Sequence, residues 1–93
     1  MEQEKNEGTV FIGDKPCMVY VTSVVMQYNS GAKKILVKAR GKNISKAVDV
    51  VEATKNKFLK DLKISNIKVG SESFEGREKK TITVSTIEIE IEK

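Results

Sequence analysis

The chain has 93 residues, a net charge of +4, a hydrophobic content of 39%, one cysteine and no histidine. This size suits one domain with a single core. A lone Cys17 excludes an intrachain disulfide, and without a Cys/His cluster neither structural zinc nor imidazole catalysis has its residues. The N-terminus is not of signal type, and every apolar stretch is far shorter than the roughly 20 residues of a membrane span. We therefore expect a cytoplasmic protein with no membrane partner. We also expect no cofactor.

Charge is unevenly distributed along the chain. Residues 33–46, KKILVKARGKNISK, contain six basic residues and no acid, whereas residues 1–7 and 87–93 each contain three Glu and one Lys. Residues 1–7 also lack apolar character, which predicts a short disordered acidic tail before a single domain at residues 8–93. The concentrated positive charge indicates a polyanion-binding protein.

The first half of the chain predicts a strand and a helix. Residues 9–12 form a β-branched and aromatic run that suits a short strand. Pro16 and the Asn-Ser-Gly sequence at 29–31 then mark the start and end of a helix of about three turns. Its many β-branched residues make a strand a rival, but length and caps favour a helix. Its apolar face is Cys17, Tyr20, Val21, Val24 and Tyr28, while Met18, Val25 and Met26 leave apolar groups that a monomer with one core would struggle to cover.

The second half predicts a strand, a helix and a hairpin. Residues 34–40 alternate as a mostly buried strand with basic ends, and a helix capped by Asn43 or Ser45 begins at Ile44. Residues 63–69 and 81–91 are the last two strands, joined by a charged, turn-rich connection at 71–80. The apolar positions of the second helix are Ala47, Val48, Val51, Phe58 and Leu62.

In the last strand Ile87, Ile89 and Ile91 alternate with Glu88, Glu90 and Glu92, as expected for a sheet with helices on one face and water on the other. The Glu row should repel nucleic acid, which argues against a module that stacks bases on an open sheet. The predicted order is β-α-β-α-β-β: an α/β, two-layer sandwich with both helices on one face of a four-stranded mixed sheet and a long β3-β4 hairpin arm.

Two places carry candidate binding residues. Arg40, Lys42 and Lys46 surround Gly41 at a strand-to-helix junction, where backbone N–H groups can help to hold a phosphate. Lys42 and Lys46 lie four residues apart at the first helical turn, where like charges repel each other and the helix dipole disfavours cations, which favours a binding role for them. The alternative is a solvated basic face that binds nothing. At the hairpin tip, Arg77, Lys79 and Lys80 either serve solubility or carry an Arg into a DNA minor groove.

Catalysis has little support from the residue pattern. Asp49, Glu52 and Asp61 are carboxylates of a kind that helix surfaces commonly carry, and nothing around them favours acid–base work. Cys17 falls on an apolar helix face without a His to activate it, so a core thiol is favoured over a nucleophile. We therefore expect no enzyme activity.

The stretch KARGKNISKAVDVVE, followed by NKFL, VGSE and STIEIEI, resembles Alba, the small archaeal chromatin protein family. The resemblance runs from about Gly8 to the end of the chain. It implies a compact α/β sandwich related in shape to the C-terminal domain of bacterial translation initiation factor three. It also implies a homodimer that binds double-stranded DNA, and often RNA, with little sequence preference.

The resemblance also assigns residues. It implies a DNA-binding body at Lys15 and at Arg40 and Lys42, which flank Gly41, and minor-groove arms carrying Arg77, Lys79 and Lys80. Asn43 and Lys46 of the same basic junction complete the candidate nucleic-acid-binding residues. Phe58 matches an aromatic that helps neighbouring dimers to pack on DNA. The family's usual GKKP loop is GDKP here, so Asp14 replaces a lysine whose acetylation is associated with tuning affinity in some members.

The sequence therefore favours a chromosome-associated, DNA-binding homodimer that also binds RNA. Two alternatives remain open at this point. One is an RNA chaperone or ribonucleoprotein subunit acting on structured RNA. The other is an interaction protein whose apolar helix faces bind a protein partner and whose basic residues are incidental.

Overall fold

A computed structural model describes residues 7–93, so the predicted acidic tail lies outside the described residues except for Glu7. The structure confirms the two-layer α/β sandwich with both helices on one face of a four-stranded mixed sheet. Within the described residues, no helix is long and apolar enough to cross a membrane. The elements are β1 (Glu7–Phe11), α1 (Cys17–Asn29), β2 (Lys34–Arg40), α2 (Ile44–Lys57), β3 (Lys63–Glu75) and β4 (Thr81–Glu92), with short 3-10 turns at Gly41–Asn43 and Arg77–Lys79.

The sheet has the strand order β1-β2-β4-β3. β1 runs parallel to β2, and β4 runs antiparallel to both of its neighbours. Because side chains alternate along a strand, the central pair places one row under the helices, and this row is almost wholly buried. It consists of Ile35, Val37 and Ala39 from β2 and Ile87, Ile89 and Ile91 from β4.

The predicted first strand, residues 9–12, is displaced by one or two residues. β1 starts at Glu7 and ends at Phe11, although the backbone N–H of Ile12 still donates to Lys38 O at 2.8 Å. The side chain of Ile12 is buried, while Phe11 points to the open face of the sheet beside Lys38. The chain leaves the sheet directly after Ile12, so this strand delivers the following loop to one end of the sheet.

Helix α1 packs on the sheet as its apolar spacing predicts. Tyr20, Val21, Val24 and Tyr28 are buried, and Cys17 is only partly buried at the margin of the core. The Tyr28 hydroxyl donates to Ile91 O at 2.9 Å, tying α1 to β4. Burial, with a smaller contribution from the negative charge of Glu92, raises the pKa of Tyr28 to about 12, so the hydroxyl remains a donor at neutral pH.

Helix α2 differs from its prediction in three respects. It ends at Lys57, so Phe58 is its C-cap and Leu62 is buried from the following loop rather than from the helix. Val48 is exposed and Val50 is buried in its place. Asn43 occupies the N-cap position without a side-chain cap hydrogen bond, because a 3-10 turn precedes the helix, and Ser45 lies inside the helix.

The hairpin is longer and more regular than its sequence predicts. Residues 71–75, expected in a turn-rich connection, continue β3 and pair with β4 as far as Glu75 opposite Thr81. The charged residues of this segment, with Gly70 and Gly76 on either side, indicate a loop, but cross-strand hydrogen bonding overrides that preference. We call residues 71–85 the arm.

Candidate nucleic-acid interface

Residues 13–15, the first part of the GDKP loop, are held from two sides. The buried Tyr20 hydroxyl accepts hydrogen bonds from the backbone N–H of Gly13 at 2.9 Å and of Lys15 at 3.1 Å. From the other side, Lys46 Nζ donates to Gly13 O at 2.8 Å and to Lys15 O at 2.9 Å. The backbone that presents the Lys15 side chain is therefore fixed by two other elements, α1 and α2.

The 3-10 turn that follows β2 lies against this loop. Gly41 has φ +60°, a left-handed conformation that glycine adopts without the usual Cβ penalty. The next residue, Lys42, places Nζ 3.8 Å from Asp14 Oδ1, with both side chains about four-fifths exposed. An ion pair this exposed is worth little in water, so Lys42 can exchange Asp14 for another anion.

Arg40 connects the turn with the base of the arm. It is the last residue of β2, and its Nη1 donates to Glu72 Oε1 at 2.9 Å, an exposed ion pair that spans β4. Lys15, Arg40 and Lys42 thus present their charges at one end of the sheet. We call these three residues the basic patch; Gly41 shapes it, the half-buried Asn43 lies at its edge, and Lys46 lies beneath it.

The cations at the arm tip are not part of this patch. Gly76 N donates to Lys80 O at 2.7 Å and Lys80 N to Arg77 O at 3.3 Å, so the reversal is an ordered turn. Glu78 and Lys79 adopt the left-handed conformation that this tight reversal requires. The paired residues that carry the tip from Ser71 to Glu75 span about 17 Å at 3.3–3.4 Å per residue. Arg77, Lys79 and Lys80 are all exposed there.

Phe58 occupies the opposite end of the body. Its side chain is 50% exposed at the C-terminus of α2, whereas Lys46 and the basic patch lie at the N-terminus of the same helix. A helix of 14 residues is about 21 Å long. The structure therefore separates Phe58 from the basic patch instead of bringing them together.

The open face of the sheet is less acidic than its Glu row alone indicates. Lys34 from β2 lies 3.0 Å from Glu90 and 3.8 Å from Glu92, and Lys38 lies 3.5 Å from Glu88. The hydrogen bond from Lys34 lowers the pKa of Glu90, so the carboxylate keeps its charge and its partner. Each Glu of this row is matched by a lysine of the neighbouring strand.

Sequence reasoning missed two residues that shape this region. Tyr20 was assigned to the core, and its hydroxyl function as an acceptor for the GDKP loop was not foreseen. Glu72 falls in the connection predicted at 71–80, but it lies in β3 and pairs with Arg40 across β4. The position of Tyr20, one helical turn after the loop, is a signal that the sequence offers. The ion pair of Glu72 could be found only from the strand register.

The model of the Alba family matches residues 8–71. "DNA/RNA-binding protein Alba" from Thermoplasma acidophilum is 52% identical over 83 residues, which cover 89% of this chain and 92% of that protein. "DNA/RNA-binding protein Alba 1" from Archaeoglobus fulgidus is 47% identical, with the same shares covered. The solved structure of Alba from Thermoplasma volcanium superposes with a TM-score of 0.86 at 47% identity, covering 91% of this chain and 99% of that one.

Proposed function

The chain belongs to the Alba family, and from that premise we propose that it is a homodimeric, chromosome-associated architectural protein. It binds double-stranded DNA largely without sequence specificity and also binds RNA. The body contacts backbone phosphates through the basic patch, and the arms carry Arg77, Lys79 and Lys80 into the minor groove. We propose no covalent chemistry.

The geometry of the basic patch is the observation that carries this proposal. Three cations from two segments of the chain lie at one end of the sheet, and Tyr20 and Lys46 fix the loop that carries one of them. Phosphate contacts from such a surface position a protein on nucleic acid without reading its sequence. In this proposal Lys46 acts by holding the loop, since two of its three N–H donors already bond to backbone carbonyls.

An apolar strip on β3 supports the homodimer. Ile64, Ile67 and Val69 pair with Ile91, Ile89 and Ile87, and therefore lie on the helix-covered side of the sheet. They extend beyond the two helices, however, and Val69 remains 72% exposed. An exposed apolar surface of this kind is typical of an interface, and we propose that a second copy covers it and that Phe58 serves contacts between dimers.

The names of the relatives, which mention both DNA and RNA, keep the ribonucleoprotein role as a second candidate. The two roles use the same basic patch and differ in the ligand that binds more tightly. An Asp at position 14, which pairs with Lys42, reduces the attraction for either polyanion.

The test is fluorescence anisotropy of the full chain with a random duplex DNA and with a folded RNA, each measured over a range of salt concentrations. Binding should weaken steeply as salt rises, because neutralised phosphates release counterions. Lys42→Ala should lower the magnitude of the log–log slope by about 1 for each site lost. Lys57→Ala removes the same charge from the other end of α2 and is the matched control.

Three outcomes separate the candidates. A steep slope that Lys42→Ala reduces and Lys57→Ala does not supports the phosphate-binding patch. A folded RNA that binds far more tightly than the duplex makes ribonucleoprotein function the leading role. An affinity that does not depend on salt concentration, or a salt dependence that both variants change equally, contradicts the proposed mechanism.

A further inference from the structure

A hollow of about 500 Å³ adjoins the basic patch on the open face of the sheet. The register of the sheet directs open-face side chains from all four strands toward it, one each from β1 and β3 and two each from β2 and β4. Its floor is a cross-strand row, and Arg40 of the basic patch forms one wall. The open-face side chains that line it are Phe11, Lys38, Arg40, Glu72, Thr86 and Glu88.

Phe11 gives this hollow an exposed aromatic surface. Its side chain is 71% exposed at the end of β1. Lys38 Nζ lies over the ring, 5.6 Å from its centroid, and also pairs with Glu88 at 3.5 Å. A phenyl ring next to the cations of the basic patch is the composition of surfaces that bind single-stranded nucleic acid, in which bases stack on aromatics and cations track the backbone.

We propose that this hollow is a stacking site for one unpaired nucleobase of single-stranded RNA or DNA. The base stacks on Phe11, and the adjoining phosphate lies at Arg40 and Lys42. This inference rests on the proposed nucleic-acid binding and adds to it a second mode, specific for unpaired strands. It assigns to the open face a role that its Glu row argued against.

The charges around the hollow fix the orientation of the strand. Glu72 and Glu88 repel a phosphate from the floor, whereas Arg40 and Lys42 attract it at the rim. Both carboxylates already have cationic partners, at 2.9 Å for Arg40 and 3.5 Å for Lys38, so the floor is not a field of free negative charge. A base therefore occupies the floor, and its phosphate occupies the rim.

Lys38 does not obstruct the base. A base stacked on an aromatic side chain interacts more strongly than a cation over an exposed ring. The Lys38 ammonium can therefore leave the ring, and it keeps its ion pair with Glu88 when it does so. A base inside an intact duplex is already stacked between its neighbours and cannot enter. The hollow therefore discriminates unpaired strands from duplex, which phosphate contacts at the basic patch alone do not do.

The test compares Phe11→Ala with the parent chain on three probes: a short unstructured RNA, the single-stranded DNA of the same sequence, and its duplex. We expect Phe11→Ala to weaken binding of the RNA and the single-stranded DNA by roughly 5- to 100-fold, the cost of one stacked base, and to change duplex affinity by less than about twofold. Phe11→Tyr should retain single-strand affinity. Met26→Ala, which truncates an exposed apolar side chain on α1, should change nothing.

A photo-cross-link supplies an independent readout. RNA substituted with 5-iodouridine, irradiated in complex with the full chain, should give a cross-linked peptide that contains Phe11. Cross-links confined to other peptides, or a Phe11→Ala variant that weakens no single strand or weakens duplex equally, overturn the stacking site while leaving the phosphate-binding proposal intact. A parent chain that binds no nucleic acid overturns both, and thermal unfolding of each variant separates lost contacts from lost folding.

Discussion

The basic patch and the arm carry similar charges but are built in opposite ways. Lys15 of the patch stands on a loop that the Tyr20 hydroxyl and Lys46 hold from both sides, and Arg40 and Lys42 come from the end of β2 and the turn that follows it. The arm is a two-stranded ladder with side chains exposed or nearly so throughout, held by its own cross-strand bonds. A substitution of Tyr20 or Lys46, which support the patch, should therefore affect the stability of the fold. A substitution in the arm should affect the surface alone.

The largest expected effect is on stability, from removal of the hydroxyl beneath the loop. Tyr20→Phe leaves the N–H groups of Gly13 and Lys15 without their acceptor, and the free energy of unfolding should fall by about 1–3 kcal/mol. Urea unfolding at one fixed protein concentration measures it, since concentration alters the apparent stability of any dimer, including the one proposed above.

Ser73→Ala is the matched removal of a hydroxyl from the arm, where the Ser73 hydroxyl has, within residues 7–93, the Thr83 hydroxyl as its hydrogen-bond partner at 3.0 Å. It should change the free energy of unfolding by less than about 0.5 kcal/mol, as surface substitutions usually do. Equal losses in the two variants would mean that the arm is as much part of the cooperative fold as the loop.

The next effect concerns binding through the arm. Arg77→Ala should weaken duplex binding by about tenfold, the size of one charge-assisted contact, while the melting temperature stays unchanged because Arg77 is exposed at the tip. Anisotropy with duplex DNA and thermal unfolding measure the two quantities. Unchanged duplex affinity would remove the arm from the binding surface.

The smallest expected effect concerns the ion pair between Arg40 of the patch and Glu72 of the arm. Glu72→Gln keeps the shape of the side chain but releases Arg40 from its ion pair, so duplex affinity at low salt should rise by up to about fivefold, within the range of an exposed pair. Glu75→Gln removes the same charge from the same strand and, within residues 7–93, breaks no ion pair. A larger gain from Glu75→Gln would show that net charge, and not the release of Arg40, governs the affinity.

Much of the fold was predictable because its signals are local. The alternation in β2 and β4 and the caps of α1 lie within a few residues of the elements they define, and the bounds of β2 were correct. The end of α2 was wrong, because Leu62 has the right spacing for the helix but is buried from a loop. The extension of β3 to Glu75 was missed, because pairing with β4 outweighs a local composition typical of a loop.

The candidate site divides along the same line. Arg40, Gly41, Lys42 and Lys46 were identifiable from their density along the chain, and Lys15 only through the family resemblance. Three features were not identified from the sequence: the support from Tyr20, the ion pair with Glu72 and the hollow beside Phe11. Each joins residues that are distant in sequence or on neighbouring strands.

The sequence by itself determined the class of the fold, the order of its elements and the position of the basic segment, because hydrophobic periodicity and charge density are properties of neighbouring residues. The tertiary structure alone decided that the Lys46 ammonium bonds to backbone carbonyls, that the Glu row on the open face is paired with lysines, and that Phe11 stands exposed beside Arg40. These features depend on strand register and loop placement, which bring together side chains that no local pattern connects.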